Sequence, residues 1–122
     1  MIGEPHRQVT LSRGDGSVVC ERCTIADTPR LRARGLLGRA GLEPGEGLLL
    51  RPASSIHMFF MRFAIDAVFL DRELVVRKVV RELRPWRMAF GFGSKSVLEL
   101  PAGECERRGI KQGDRLSVAE AG

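Results

Sequence analysis

The stretch His57-Met58-Phe59-Phe60-Met61-Arg62-Phe63-Ala64-Ile65-Asp66 constrains this chain more than any other. It is almost wholly apolar, yet it carries a histidine, an arginine and an aspartate. Burying a charge without a partner costs on the order of several kcal/mol. An apolar strand with this composition must pair Arg62 and Asp66, expose them at an end, or use them on a ligand. Along one regular strand, Arg62 and Asp66 share a face with Phe60, Ala64 and Val68, while His57, Phe59, Met61 and Phe63 take the other. A kink at Ala64-Ile65 would change that pairing.

The remaining segments read as a β-rich chain. Gln8–Ser12 alternates polar and apolar residues, Arg13-Gly14-Asp15-Gly16 is a turn, and Val18–Ile25 returns as the hairpin partner. Thr28 and Pro29 open a short helix running through Leu37, in which Gly35 signals a close backbone approach or an early end. Leu48-Leu49-Leu50 is a buried strand. The central stretch continues through Ala67–Leu70 and pairs with Leu74–Val80. Arg87–Lys95 reads as a glycine-rich loop whose Phe90 and Phe92 cover the edge of the core. Ser96–Leu100 is a strand, Pro101–Arg108 a short helix closed by Gly109, and Arg115–Val118 the last strand. With 122 residues, no repeat and no linker, the expectation is one compact α+β domain over residues 1–122. It is β-rich, with a barrel-like or strongly twisted, mainly antiparallel sheet and two short helices.

Charge and cysteine usage narrow the function classes. A net charge of +5 raises the odds of an anionic partner, although the arginines are scattered and form no nucleic-acid arm. Aromatics make up 6% and tyrosine is absent, so a stacking platform for nucleic acid is poorly stocked and nucleic acid is not an expected partner. No apolar run reaches spanning length and Met1–Leu11 is polar, so neither a membrane partner nor a secretory signal is expected, and a cytoplasmic location is. Cys20 and Cys23 form a lone C-x-x-C on a strand, where residues three apart diverge, and Cys105 lies far away. Two histidines, His6 and His57, add little, so no metal and no cofactor are expected.

Several segments match one pattern together: Arg34-Gly35-Leu36-Leu37-Gly38-Arg39, Gly45-Glu46-Gly47-Leu48-Leu49, His57–Asp71, Val97–Gly103 and Gly109–Asp114. In this order and spacing the chain resembles the bacterial and archaeal domain-of-unknown-function 192 family over about Val18–Val118. The resemblance implies a single small β-rich domain and no particular reaction. Ala64 stands where related sequences often carry proline, and Cys20 and Cys23 are not part of the family pattern.

The candidate site residues are Arg34, His57, Phe60, Arg62, Asp66, Trp86 and Glu99. One reading is scaffolding, in which Arg62 or Arg34 pairs with Glu99 or Asp66. In particular, Glu99 stands between apolar neighbours and is expected to meet an arginine across the fold. The other is an arginine-lined apolar surface that binds an anionic small molecule or an acidic protein partner. This second reading makes the chain a binding or accessory module. An enzyme centred on His57, Asp66 and Glu99 is the first alternative, and nucleic-acid binding the second.

Overall fold

The computed structural model describes residues 7–120; His6 and most of the polar start lie outside them. The elements in chain order are β1 (Gln8–Arg13), β2 (Val18–Ala26), α1 (Pro29–Arg34), β3 (Glu46–Leu50), β4 (Ser55–His57), β5 (Ile65–Leu70), β6 (Val76–Leu83), β7 (Met88–Phe90), β8 (Ser96–Pro101), α2 (Glu104–Arg107) and β9 (Leu116–Glu120). Seven strands form one sheet in the order β6-β5-β8-β3-β2-β1-β9, and β4 and β7 form a separate two-stranded ribbon. Every neighbouring pair is antiparallel except β2 and β3. The sheet curls until its edges meet around the bridge between Val75 and Arg115, where Leu116 N–H donates to Leu74 O (2.9 Å) and Val76 N–H to Asp114 O (2.8 Å), but it does not close into a barrel. This is the twisted, β-rich α+β domain that the sequence leads one to expect.

The three central strands β3, β5 and β8 are buried on both faces, which is why they read as continuous apolar runs. One face carries Leu49, Val68, Leu70, Leu98 and Leu100 into a core shared with β1, β2 and the residues around α2. The other carries Leu48, Leu50, Ala67, Phe69 and Val97 into a second core, covered by Leu36, Ile56, Met58 and Ala89. The β4–β7 ribbon thus acts as a lid over the second face. It lies close because Gly91 has no side chain: a Cβ there would stand 2.3 Å from the Phe69 ring.

Four local expectations need correction. The central stretch is not one strand. β4 ends at His57, and a turn closed by Met61 N–H donating to Met58 O (3.2 Å) follows. Phe60 takes a φ of 65° in that turn, so the chain leaves the ribbon before joining the main sheet at Ile65. Second, the segment 87–95 contains strand β7. Phe90 and Phe92 point to solvent instead of covering the core. Third, Cys20 and Cys23 do not diverge. Val9 pairs with Cys23 while Leu11 pairs with Cys20, so a β-bulge at Glu21-Arg22 turns both thiols inward. Fourth, α1 stops at Arg34. Gly35 (φ 50°) caps it by donating to Leu31 O at 2.9 Å, while Thr28 caps the start by accepting from Leu31 N–H at 3.1 Å.

Candidate functional site

A cavity of about 340 Å³ opens between α1 and the β4–β7 ribbon. Its walls come from four places. The last turn of α1 brings Arg32 and Arg34, and the end of β3 brings Leu50. The ribbon and its turn bring Ser55, His57, Met58, Phe59 and Met61, and β8 brings Glu99. Of the three arginines of α1, Arg32 and Arg34 line the cavity, next to the helix end at Gly35.

Glu99 is the unusual group. It is buried, and among the described residues no arginine or lysine pairs with it and no side-chain hydrogen bond reaches its carboxyl. The expected arginine partner is therefore absent there. Burial alone pushes its pKa up to about 8, so the carboxyl is mostly neutral at neutral pH. The buried glutamate that does meet arginines is Glu104. It contacts Arg107 and accepts from Arg108 Nε at 3.0 Å, while Arg108 also reaches Glu21 at 2.9 Å.

Among the described residues no carboxylate pairs with Arg32 or Arg34. Arg32 donates to the backbone carbonyls of Asp27 and Arg51, each at 3.5 Å. Arg34 is exposed and makes no ion pair among the described residues. The aromatic side chains form a series of ring contacts, stacked at His57–Phe59 and tilted in the others. The His57 ring lies 4.7 Å from Phe59, Phe59 lies 6.0 Å from Trp86, and Trp86 lies 4.9 Å from Phe60. Phe60 and Trp86 both adopt left-handed backbone angles, φ 65° and 71°, which typically costs about 1–3 kcal/mol for each such residue.

Of the residues singled out in the sequence, Arg34, His57 and Glu99 line the cavity, and Phe60 and Trp86 stand beside it on the Phe59 side. Arg62 is exposed in the connection between β4 and β5 and does not line the cavity. Asp66 is remote from it and fully buried. Its carboxylate accepts from the backbone N–H groups of Glu82 (2.9 Å), Gly103 (3.1 Å) and Cys105 (2.9 Å), so it ties β5 to β6 and to the start of α2. The constellation His57, Asp66 and Glu99 is therefore not assembled in one cleft. Arg32 escaped the sequence reading, because residues two apart on a helix point in different directions. Arg32 and Arg34 nevertheless line the same cavity.

The three thiols are all buried in the first core. Cys20 Sγ lies 3.5 Å from Gly45 O. Contact with Cys20, reinforced by burial, pushes the Cys23 thiol far above its ordinary value. Burial pushes Cys105 up to about 12, with Asp66 adding to it.

The family model and the sequence relatives agree on the lineage, and the solved structures share the fold. Residues 10–118 match the model of the DUF192 family, described as an uncharacterized ACR. The chain is 35% identical over 113 residues to a UPF0127 protein of Thermococcus sibiricus, covering 87% of this chain and 71% of that one. It is 36% identical over 99 residues to a UPF0127 protein of Pyrococcus abyssi, covering 75% of this chain and 81% of that one. A crystal structure of a Sinorhizobium meliloti protein, suggested to be a transcription regulator, superposes with a TM-score of 0.83 at 23% identity, covering 97% of each chain. One from Novosphingobium aromaticivorans, of unknown function, superposes with a TM-score of 0.75 at 26% identity, covering 92% of this chain and 84% of that one. The chain belongs to the DUF192 family.

Proposed function

We propose that this member of the DUF192 family is a binding module whose cavity takes a small anionic molecule. Arg34 and Arg32 supply the charge, and Met58, Phe59 and Met61 supply an apolar wall for the rest of the ligand. The observation that carries this reading is the burial of Glu99 at the cavity with no cationic partner among the described residues, which favours its neutral form. An ionised carboxylate in the cavity would repel an anion, whereas a neutral carboxyl donates a hydrogen bond to one. Two arginines that have no carboxylate partner among the described residues then dominate the local field. Guanidinium groups suit carboxylate and phosphate oxygens because their donors form a planar fork.

The test is a calorimetric titration with matched pairs of small molecules: hexanoate against hexanol, and phenyl phosphate against phenol. The anions should bind and their neutral counterparts should not. Arg34→Ala should weaken anion binding about tenfold, the loss of one charged hydrogen-bonding partner. Affinity should also fall as the pH passes about 8 and Glu99 ionises. Equal binding of neutral and anionic members, or indifference to Arg34→Ala, overturns the reading.

A further inference from the structure

We propose that the solvent face of the β4–β7 ribbon docks on an anionic lipid surface. From Met88 onward the chain alternates strictly, and the alternation is inverted. Ala89 and Gly91 face inward and are small, while Met88, Phe90 and Phe92 face solvent. An ordinary surface ribbon places its apolar residues inside and its polar ones outside. Across the ribbon the strip is bordered by polar residues, since His57 pairs with Met88 and Ser55 with Phe90. At the end near the β4–β5 connection, Phe60 and Trp86 are in contact with each other and are also exposed. All five large residues are more than half exposed, and Phe92 is 98% exposed.

The charge around the strip decides what it meets. Residues 77–95 hold six cations, Arg77, Lys78, Arg81, Arg84, Arg87 and Lys95, against one acid, Glu82; of these, Arg81 is turned toward Cys105 in the first core and not toward the strip. Their balance equals the net charge of the whole chain, +5. None of the six makes an ion pair among the described residues. Two of them demonstrably reach the strip: Lys78 Nζ donates to Phe90 O at 2.7 Å, and the Arg77 guanidinium lies 3.4 Å from where a Cβ on Gly93 would stand. Arg84 and Arg87 flank Trp86 in the sequence.

Shape favours a bilayer over a protein. Phe60 and Trp86 sit at positive-φ turns and Phe92 between two glycines, so the apolar groups are projecting knobs and not the floor of a groove. A protein partner needs a fitted hole for each knob, whereas the headgroup–acyl boundary accepts any of them. Basic side chains near an anionic leaflet and aromatic rings at its boundary act together. Among the described residues no helix is long and apolar enough to cross a membrane. Lying on the surface requires none.

The test is flotation of the full chain with phosphatidylcholine vesicles, with and without phosphatidylglycerol. Trp86 is the single tryptophan, so its emission reports the strip directly. The chain should float with the anionic vesicles only, with a blue shift of Trp86 that salt reverses. Phe92→Ser should weaken binding about tenfold, the loss of one buried aromatic side chain. Arg87→Ala should weaken it about fivefold, the share of one basic group. Both variants leave the cavity untouched, so the anion titration above should not change. Absence of flotation on the anionic vesicles overturns the proposal and leaves the strip to an acidic protein. Flotation that ignores Phe92→Ser overturns it too, since it would be charge adsorption without insertion.

Discussion

Glu99 and Asp66 sit on adjacent strands and point to opposite faces of one sheet, because Glu99 pairs with Ala67 while Asp66 pairs with Leu100. Side chains alternate along a strand, so this offset of one position sends Glu99 to the cavity and Asp66 into the sealed core beside α2. Two acids that look equivalent in the sequence thus acquire different tasks. Asp66 holds backbone donors in place, and Glu99 faces a ligand-sized space.

Asp66→Ala should therefore be severely destabilising. It leaves three backbone N–H groups, those of Glu82, Gly103 and Cys105, without their acceptor. The expected loss is roughly 3–5 kcal/mol, read from the urea midpoint with an unchanged denaturant slope. A loss under about 1 kcal/mol would show that water replaces the carboxylate.

The ion pair that anchors α2 gives a second test. Glu104 is nearly sealed, with 4% of its side chain exposed, and Arg108 bridges it to Glu21. Arg108→Ala removes the better-buried partner and leaves only the more exposed Arg107. A loss of about 3 kcal/mol is expected in the same denaturation experiment, much larger than for an exposed pair such as Arg7–Glu120.

Much of the fold is legible in the sequence, because its signals are local. The hairpin turn at Arg13–Gly16, the Thr28 cap and the unbroken apolar strands β3 and β8 each follow from a few neighbouring residues. What escapes are features set by register. The bulge at Glu21-Arg22 that turns Cys20 and Cys23 to one side is visible only once β1 is laid against β2. The break between His57 and Ile65 lies inside an apolar run that offers no glycine or proline to announce it. The glycines around Phe92 suggest a loop, although the same residues carry a period-two pattern with its apolar side outward. The site was half legible: Arg34, His57 and Glu99 do share a cavity. Arg62 does not join them because the strand is interrupted before Ile65, and Asp66 does not because it faces the other side of the sheet from Glu99.

The close approach of the ribbon to the second core makes Gly91 sensitive. Gly91→Ala should cost about 1–3 kcal/mol, because the new methyl would overlap the Phe69 ring and force the ribbon outward. Thermal melting checks this. The same substitution at Gly14, which has open space around it, should be nearly silent.

Arg62→Ala should leave stability within about 0.5 kcal/mol of the parent. Its side chain is exposed and forms no ion pair among the described residues. A melting shift as large as that of Arg108→Ala would mean that Arg62 braces the β4–β5 connection in a way its surroundings do not suggest.

The pH dependence of stability tests Glu99 directly. Its ordinary value is 4.5, and in the folded protein burial raises it to about 8. Between those two values the unfolded chain has released the proton while the native protein still holds it. The native state binds more protons, so stability falls as the pH rises through this window and levels off above it. Glu99→Gln places a neutral group of similar shape in the cavity and removes the titration. Parent and variant should have similar stability near pH 4.5, and the variant should gain steadily up to about pH 8. The full difference is on the order of several kcal/mol. Urea midpoints of both proteins across the window decide it: parallel profiles would mean that Glu99 stays solvated, and the neutral-carboxyl argument for an anionic ligand would fall with it.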